Sequence, residues 1–220
     1  SRGIGAAISK ALKAAGYSVA ANYAGNDEVA AKFKAETGIP VYKWDVSNYD
    51  ACAAGLAQIE KDLGPIDVIV NNAGLNVRAD FRHLTDAEWV RIREVNLDGV
   101  VRVARDGFEL LRASKRGSLV NVSSIMAHRG LRQLAGYSAT KGAVTALTKA
   151  LAVEYARLWT ARSASSRIIL PSCRRLRGVR GMAAVARKIE DAGASGTGGG
   201  AHFLGVTRSA RGFAWRERLD

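Results

Sequence analysis

The strongest constraint on this chain is an alternation: from residue 1 to about 157, helix-patterned stretches take turns with short β-rich runs. Such alternation stacks βαβ units into a parallel sheet with helices on both faces. Ile4, Ala7, Ile8, Ala11 and Leu12 recur at i, i+3, i+4, i+7 and i+8, which predicts an amphipathic helix from Ile4 to Ala15 ended by Gly16. A strand follows over 17–23, a helix over 27–36 closed by Gly38, a strand over 41–46, and a helix over 49–63 broken by Gly64-Pro65. Asp67-Val68-Ile69-Val70 is the near-continuous apolar run of a strand covered on both sides. Helical patterning resumes over 86–111, with an interruption near 96–99; a buried strand spans 118–122 and a long helix 136–157. The fold class is therefore α/β, a doubly wound parallel sheet in one domain.

A chain of 220 residues, 48% hydrophobic and 24% charged, has enough apolar material for one sizeable core. It contains no apolar run near the roughly 20 residues that cross a bilayer, and Ser1-Arg2-Gly3-Ile4-Gly5 is no signal peptide. A cytoplasmic protein without a membrane partner is expected. Cys52 and Cys173, far apart, form neither a disulfide framework nor a metal cluster, and read as packing residues. No metal is implied.

The net charge of +13 is unevenly placed. Residues 158–220 carry 12 Lys and Arg against 4 Asp and Glu, while residues 1–157 carry 21 against 16. The basic stretch is rich in Gly, Arg and Ser and has weak hydrophobic periodicity, with no aromatic-basic platform or helix-turn-helix pattern. Nucleic acid is thus not the expected partner.

Gly3-Ile4-Gly5 opens a helix, where free N–H groups and the positive end of the helix dipole can meet a pyrophosphate; an ordinary glycine turn is the bland alternative. Asn71-Asn72-Ala73-Gly74 follows the strand ending at Val70 and leaves room for a flat ring at the carboxyl ends of the strands. Tyr137 and Lys141 stand four apart on one helix and share a face. A phenol is a poor acid or base near neutrality, and an ammonium beside it lowers its pKa. Ser124 stands at the end of the preceding strand, where its hydroxyl can donate to a carbonyl oxygen that gains charge as hydride arrives.

Together these motifs resemble the short-chain dehydrogenase/reductase family over residues 1–157: Gly3-Ile4-Gly5, Asn71–Gly74, Asn96 within Val95-Asn96-Leu97-Asp98-Gly99, Ser124, and Tyr137-Ser138-Ala139-Thr140-Lys141 occur in the family's order. The resemblance implies a Rossmann-like NADP-binding domain. It implies Tyr137 as proton donor, Lys141 tuning Tyr137 and holding the cofactor ribose, Ser124 orienting the carbonyl, and Asn96 supporting a proton-relay water. It places Gly3, Ile4 and Gly5 at the pyrophosphate, Asn22 at the adenosine ribose, Asp45 and Val46 beside the adenine, and Asn72, Ala73 and Gly74 along the cofactor. Homo-oligomers are expected for intact members.

The strand over 17–21 runs into Asn22-Tyr23 without an acid to bond a ribose 2′-hydroxyl, and Arg2 in the glycine turn can pair with a 2′-phosphate. NADP(H) is expected ahead of NAD(H). The first half is most similar to acetoacetyl-CoA and 3-oxoacyl-carrier-protein reductases, which makes a 3-oxoacyl thioester the first choice of substrate. The loop 125–136 lacks the glutamine-rich run of acetoacetyl-CoA reductases; Arg129 and Arg132 within it can meet the phosphates of coenzyme A or an acidic carrier protein, though a solvated basic loop is the plainer reading, and His128 reads as a loop residue. Alternatives are a reductase or dehydrogenase of a sugar, polyol or steroid-like alcohol, and an inactive nucleotide-binding fragment.

Both ends depart from the family pattern. No strand precedes the helix opened by Gly3-Ile4-Gly5, which leaves the first strand of the sheet missing, with unpaired backbone expected on its two neighbours. Nothing from about 158 matches; there is no Asn-x-x-x-Pro-Gly turn, and Leu158–Arg162, Cys173–Arg177 and Gly196–Gly200 read as an out-of-frame translation and an irregular, poorly ordered tail. Weak turnover is expected of the chain until both ends are restored.

Overall fold

The computed structural model describes residues 3–114 and 117–155, together with the backbone of 167–169 and 204–209. Arg2 and the remainder of the basic tail, including Cys173 and the Gly196–Gly200 run, lie outside the described residues.

The helices are α1 (Gly3–Ala14), α2 (Asp27–Thr37), α3 (Tyr49–Leu63), α4 (Asp86–Arg93), α5 (Gly99–Asp106), α6 (Phe108–Ala113) and α7 (Ala135–Tyr155). The strands are β1 (Tyr17–Tyr23), β2 (Val41–Lys43), β3 (Val68–Asn71), β4 (Ser118–Val122), β5 (Arg167–Ile169) and β6 (Leu204–Ser209). Local chemistry accounts for many of the boundaries. Asn26 and Asn48 cap α2 and α3 by accepting from Val29 N and Ala51 N, and Thr85 with Glu88 forms a reciprocal capping box at α4. The interruption expected near 96–99 is a π-helical turn, Glu94–Asp98, between α4 and α5.

The six strands lie in the order β2-β1-β6-β3-β4-β5. The pairs β1–β2, β3–β4 and β4–β5 are parallel. Period-2 alternation divides the core between the two faces. Val19, Ala21, Val68, Val70, Val120 and Val122 pack with Ile8 and Leu12 of α1 and Phe33 of α2. Ala20, Ile69 and Leu119 pack with Cys52, Leu56 and Ile59 of α3, Val103 of α5 and Leu111 of α6. Both faces are covered by helices, the arrangement of a doubly wound sheet. Cys52 is a core residue whose thiol burial pushes up to about 11, in keeping with packing rather than chemistry.

The slot between β1 and β3 holds β6, which runs antiparallel to both. Val206 is in register with Ala20 on one side and Ile69 on the other. The expectation that the backbones of β1 and β3 face each other unpaired gives way here. A strand far along the sequence, within the region expected to be irregular, supplies the missing hydrogen-bond partners and makes an otherwise parallel sheet mixed.

Candidate active site

The candidate site residues gather at the carboxyl ends of the parallel strands. Gly3 opens α1 at φ 56°, a left-handed conformation that a glycine adopts without strain, and Gly5 is buried within the first turn. Ile4 is half-buried between them.

At the end of β3, Asn71 donates from Nδ2 to Oδ1 of Asn121 on β4 at 2.9 Å, and Asn121 in turn donates to Thr148 Oγ1 on α7 at 2.9 Å. This buried chain of amides and a hydroxyl fixes α7 against the strand ends, so the helix carrying Tyr137 and Lys141 has a defined height above the sheet. Ser123 adds a second tie, donating to Lys141 O at 2.9 Å and lying 2.7 Å from Thr145 Oγ1.

Lys141 is fully enclosed. Its Nζ donates to Val122 O at 2.9 Å, the one hydrogen bond it makes among the described residues. Desolvation pushes its pKa down to about 8. A Cβ placed on Gly74 would stand 3.4 Å from both Lys141 Nζ and Asn96 Oδ1, so the glycine turn after β3 packs directly against these two buried polar groups. Asn96, in the π-helical turn, is wholly buried. Its Nδ2 donates to Leu75 O at 2.9 Å and to Thr140 Oγ1 at 3.2 Å, and its Oδ1 accepts from Leu75 N at 2.8 Å. Thr140 donates to Tyr137 O at 2.9 Å, so Asn96 reaches the Tyr137 backbone through one hydroxyl.

Burial pushes the Tyr137 phenol above its ordinary value, and a hydrogen bond with Ser124 opposes the shift. This direction is the reverse of what the neighbouring ammonium alone predicts. Lys141 Nζ lies 6.0 Å from the Tyr137 ring centroid and points a hydrogen bond at Val122 O instead, so desolvation of the phenol dominates. Ser124 also caps a short 3-10 turn, Ile125–Ala127, by accepting from Met126 N at 3.2 Å.

A second group lines the strand ends farther along. Asn22 is completely buried at the end of β1; its Nδ2 donates to Trp44 O at 2.8 Å, and its Oδ1 has no partner among the described residues. Asp45 Oδ1 accepts from Ser47 N at 2.9 Å and Ser47 Oγ at 2.7 Å, and Oδ2 accepts from Arg91 at 2.9 Å. Burial works to raise the Asp45 carboxyl, but the Ser47 bonds and the Arg91 guanidinium outweigh it and hold the pKa at about 2. Val46 is buried against Gly99, where a Cβ would meet it at 3.0 Å. Asn72 and Ala73 are buried in the turn between the two groups.

Residues 1–159 match the sequence pattern of the family described as short chain dehydrogenase. The chain belongs to that family. As a short-chain dehydrogenase it is 54% identical over 154 residues to an acetoacetyl-CoA reductase of Shinella zoogloeoides, covering 70% of this chain and 64% of that protein. It is 53% identical over 157 residues to an acetoacetyl-CoA reductase of Paracoccus denitrificans, covering 71% and 65%. The chain thus spans a little under two thirds of the length of these relatives. Among solved structures, a gluconate 5-dehydrogenase from Burkholderia cenocepacia J2315, in complex with NADP and tartrate, superposes with TM-score 0.65 at 33% identity, over 71% of this chain and 63% of that one.

Within this short-chain dehydrogenase, sequence reasoning passed over Ser123, Thr140, Thr145 and Thr148. Their signal was present: Thr140, Lys141, Thr145 and Thr148 recur at helical spacing as one polar stripe on α7, and such a stripe on an otherwise buried helix marks a hydrogen-bonded face. Arg91 was also passed over, because its partner Asp45 is 46 positions away. His128 is exposed in the loop, as its reading as a loop residue anticipated.

Proposed function

We propose that this protein reduces a 3-oxoacyl thioester, acetoacetyl-CoA or a close analogue, to the 3-hydroxyacyl thioester with NADPH, and that Tyr137 is the proton donor. One observation carries the reading: a buried ammonium, Lys141, lies against Gly74 and beside Tyr137, and its Nζ makes a single hydrogen bond among the described residues. An ammonium has three donors. The others suit the hydroxyls of a cofactor ribose, which supports a dinucleotide at this site.

On this reading Gly3, Ile4 and Gly5 hold the pyrophosphate end, Arg2, Asn22, Asp45 and Val46 serve the adenosine end, and Asn72, Ala73, Gly74, Tyr137 and Lys141 line the nicotinamide end. A dinucleotide held by these residues would supply hydride to the carbonyl carbon. Ser124 donates a hydrogen bond to the carbonyl oxygen, and Tyr137 transfers its phenolic proton there as the carbon–oxygen double bond becomes a single bond. The raised pKa of Tyr137 keeps the phenol protonated at neutral pH, as reduction requires. Asn96 holds the turn at Leu75, and so the wall of the site, in place.

Asn22 presents no negative charge where a 2′-phosphate would lie, which supports NADPH over NADH. The thioester substrate is supported by the names of relatives more than half identical to this chain. The test is a panel of acetoacetyl-CoA, a 5-ketogluconate and a ketosteroid, with NADPH and NADH in parallel and Tyr137→Phe as control. Oxidation of NADPH by acetoacetyl-CoA, lost in Tyr137→Phe, is the expected result. Faster turnover of the sugar acid or the steroid, or preference for NADH, overturns the reading.

A further inference from the structure

Nine arginines have described side chains, and their surroundings differ in one respect. Arg82, Arg91, Arg93, Arg105 and Arg112 each lie within ion-pair distance of a carboxylate, and Arg102 donates to Ser47 O at 2.8 Å. Arg78, Arg129 and Arg132 are exposed, and their guanidinium groups have neither an ion pair nor a hydrogen bond among the described residues. All three lie on the two loops that flank Ser124 and Tyr137.

Those loops are joined. Ala79 N donates to Gln133 O at 3.2 Å. Gln133 adopts φ 64°, a left-handed conformation found at no other non-glycine position among the described residues, and one that suits Asn, Asp or Gly better than Gln. Arg78 and Arg132 immediately precede the two bonded residues, so this one hydrogen bond brings their backbones side by side. Arg129 N donates to Ile125 O at 3.0 Å, which ties the third arginine to the turn that Ser124 caps. Asp80, the acid on the first loop, is already paired with Arg82. The same segments carry exposed apolar side chains: Phe81 at 73%, Leu131 at 50% and Ile125 at 42%.

Unpaired cations together with exposed apolar groups, on loops held in an unfavourable backbone conformation, match a ligand with a phosphate cluster at one end and a less polar arm leading to the reacting carbonyl. We infer that Arg78, Arg129 and Arg132 form the docking site for the phosphates of coenzyme A, with Phe81, Leu131 and Ile125 beneath the pantetheine arm. Guanidinium groups suit phosphate oxygens through paired N–H donors. This inference rests on the thioester reading above and assigns the part of that substrate which these loops recognise.

Binding can be measured without turnover. Calorimetric titration of the full 220-residue chain with free coenzyme A and with pantetheine, at low and raised salt, reads the phosphate contribution directly. Coenzyme A is expected to bind at least about tenfold tighter than pantetheine, with an advantage that shrinks in salt. Arg129→Ala/Arg132→Ala is expected to remove most of that advantage while pantetheine binding stays unchanged, and Arg129→Lys/Arg132→Lys is expected to retain part of it. Because these side chains are exposed, unfolding midpoints should match the parent, which separates a binding loss from misfolding. Equal affinity for the two ligands, no binding of coenzyme A, parent-like binding by the alanine variant, or tighter binding of an acidic carrier protein each overturns the inference. Phosphate-dependent binding without reduction of acetoacetyl-CoA leaves the docking site standing and removes the reaction. Turnover of a phosphate-free acetoacetyl thioester as efficient as that of acetoacetyl-CoA does the reverse.

Discussion

The Asn96 side chain pairs with both backbone groups of Leu75, donating to its carbonyl at 2.9 Å and accepting from its N–H at 2.8 Å. One amide thus replaces a rung of sheet for the turn that follows Gly74. Asn96→Ala leaves both Leu75 groups without these partners, and a cost of about 1–3 kcal/mol is expected in urea unfolding. Asn96→Asp at neutral pH should do no better than alanine, because a carboxylate would face the Leu75 carbonyl in a fully buried position. Its stability should improve as the pH is lowered and the acid becomes a donor. A parent-like unfolding midpoint for Asn96→Ala would show that the turn is held by other contacts.

Lys141 makes the pH dependence of stability specific. Desolvation lowers its pKa from the ordinary 10.5 to about 8 in the folded protein. Between these values the unfolded chain binds the proton and the native protein does not, so stability rises with pH across about 8 to 10.5. The burial penalty is fully present below pH 8, and its relief is worth at most about 3 kcal/mol. Lys141→Met has no such titration. The difference in unfolding free energy between parent and variant should therefore shift in the parent's favour across that window, and a constant difference would refute the depressed pKa.

These two residues also mark how far the sequence can be read. The strands 68–71 and 118–122 and the helix around Tyr137 were legible because periodicity and glycine breaks are local signals. Asn96 was legible as a candidate site residue but not as the support of Leu75, since a side chain bridging 21 positions leaves no pattern. Tyr137 was expected to be tuned downward by Lys141; burial of the phenol, a property of the folded packing, reverses the direction. The position of β6 was the least legible feature. Its pairing with β1 and β3 spans more than 130 residues, and nothing in residues 204–209 alone indicates a central antiparallel strand.

Tyr137→Phe keeps the ring's packing and removes the proton. Reduction is expected to fall by about 10²–10⁴-fold, while dinucleotide affinity, measured by fluorescence, stays within a few-fold of the parent. Ser124→Ala removes the hydrogen bond that opposes the upward shift of the phenol, so the Tyr137 pKa should rise further. Spectrophotometric titration of the tyrosines reads that change. A downward shift in Ser124→Ala would contradict the assigned contact.

The Asp45–Arg91 pair predicts acid sensitivity with the opposite sign to Lys141. The Asp45 carboxyl is held at about 2 against an ordinary 3.8, so its contribution is present above the ordinary value and is lost as the pH falls towards 2. Arg91→Ala should move the low-pH unfolding transition to higher pH. The effect should be small, because Asp45 and Arg91 are both about a third or more exposed. Dinucleotide affinity should fall in the same variant, because Asp45 and Ser47 lose the guanidinium that orients them. An unchanged affinity would separate the pair from the cofactor wall.

The antiparallel strand β6 is the feature on which the sheet beneath the site depends. Val206 is opposite Ala20 on β1 and Ile69 on β3, so both of its edges are paired. A proline there removes an N–H from a strand that is central in the sheet, where prolines are essentially not accommodated. Val206→Pro should lower the urea midpoint and abolish slow hydrogen exchange at amides within 19–21 and 68–70. If slow exchange at those amides survives in Val206→Pro, β6 does not close the gap between β1 and β3. If it is lost, a strand from far along the sequence completes the sheet whose ends carry Asn22, Asn71 and Val122.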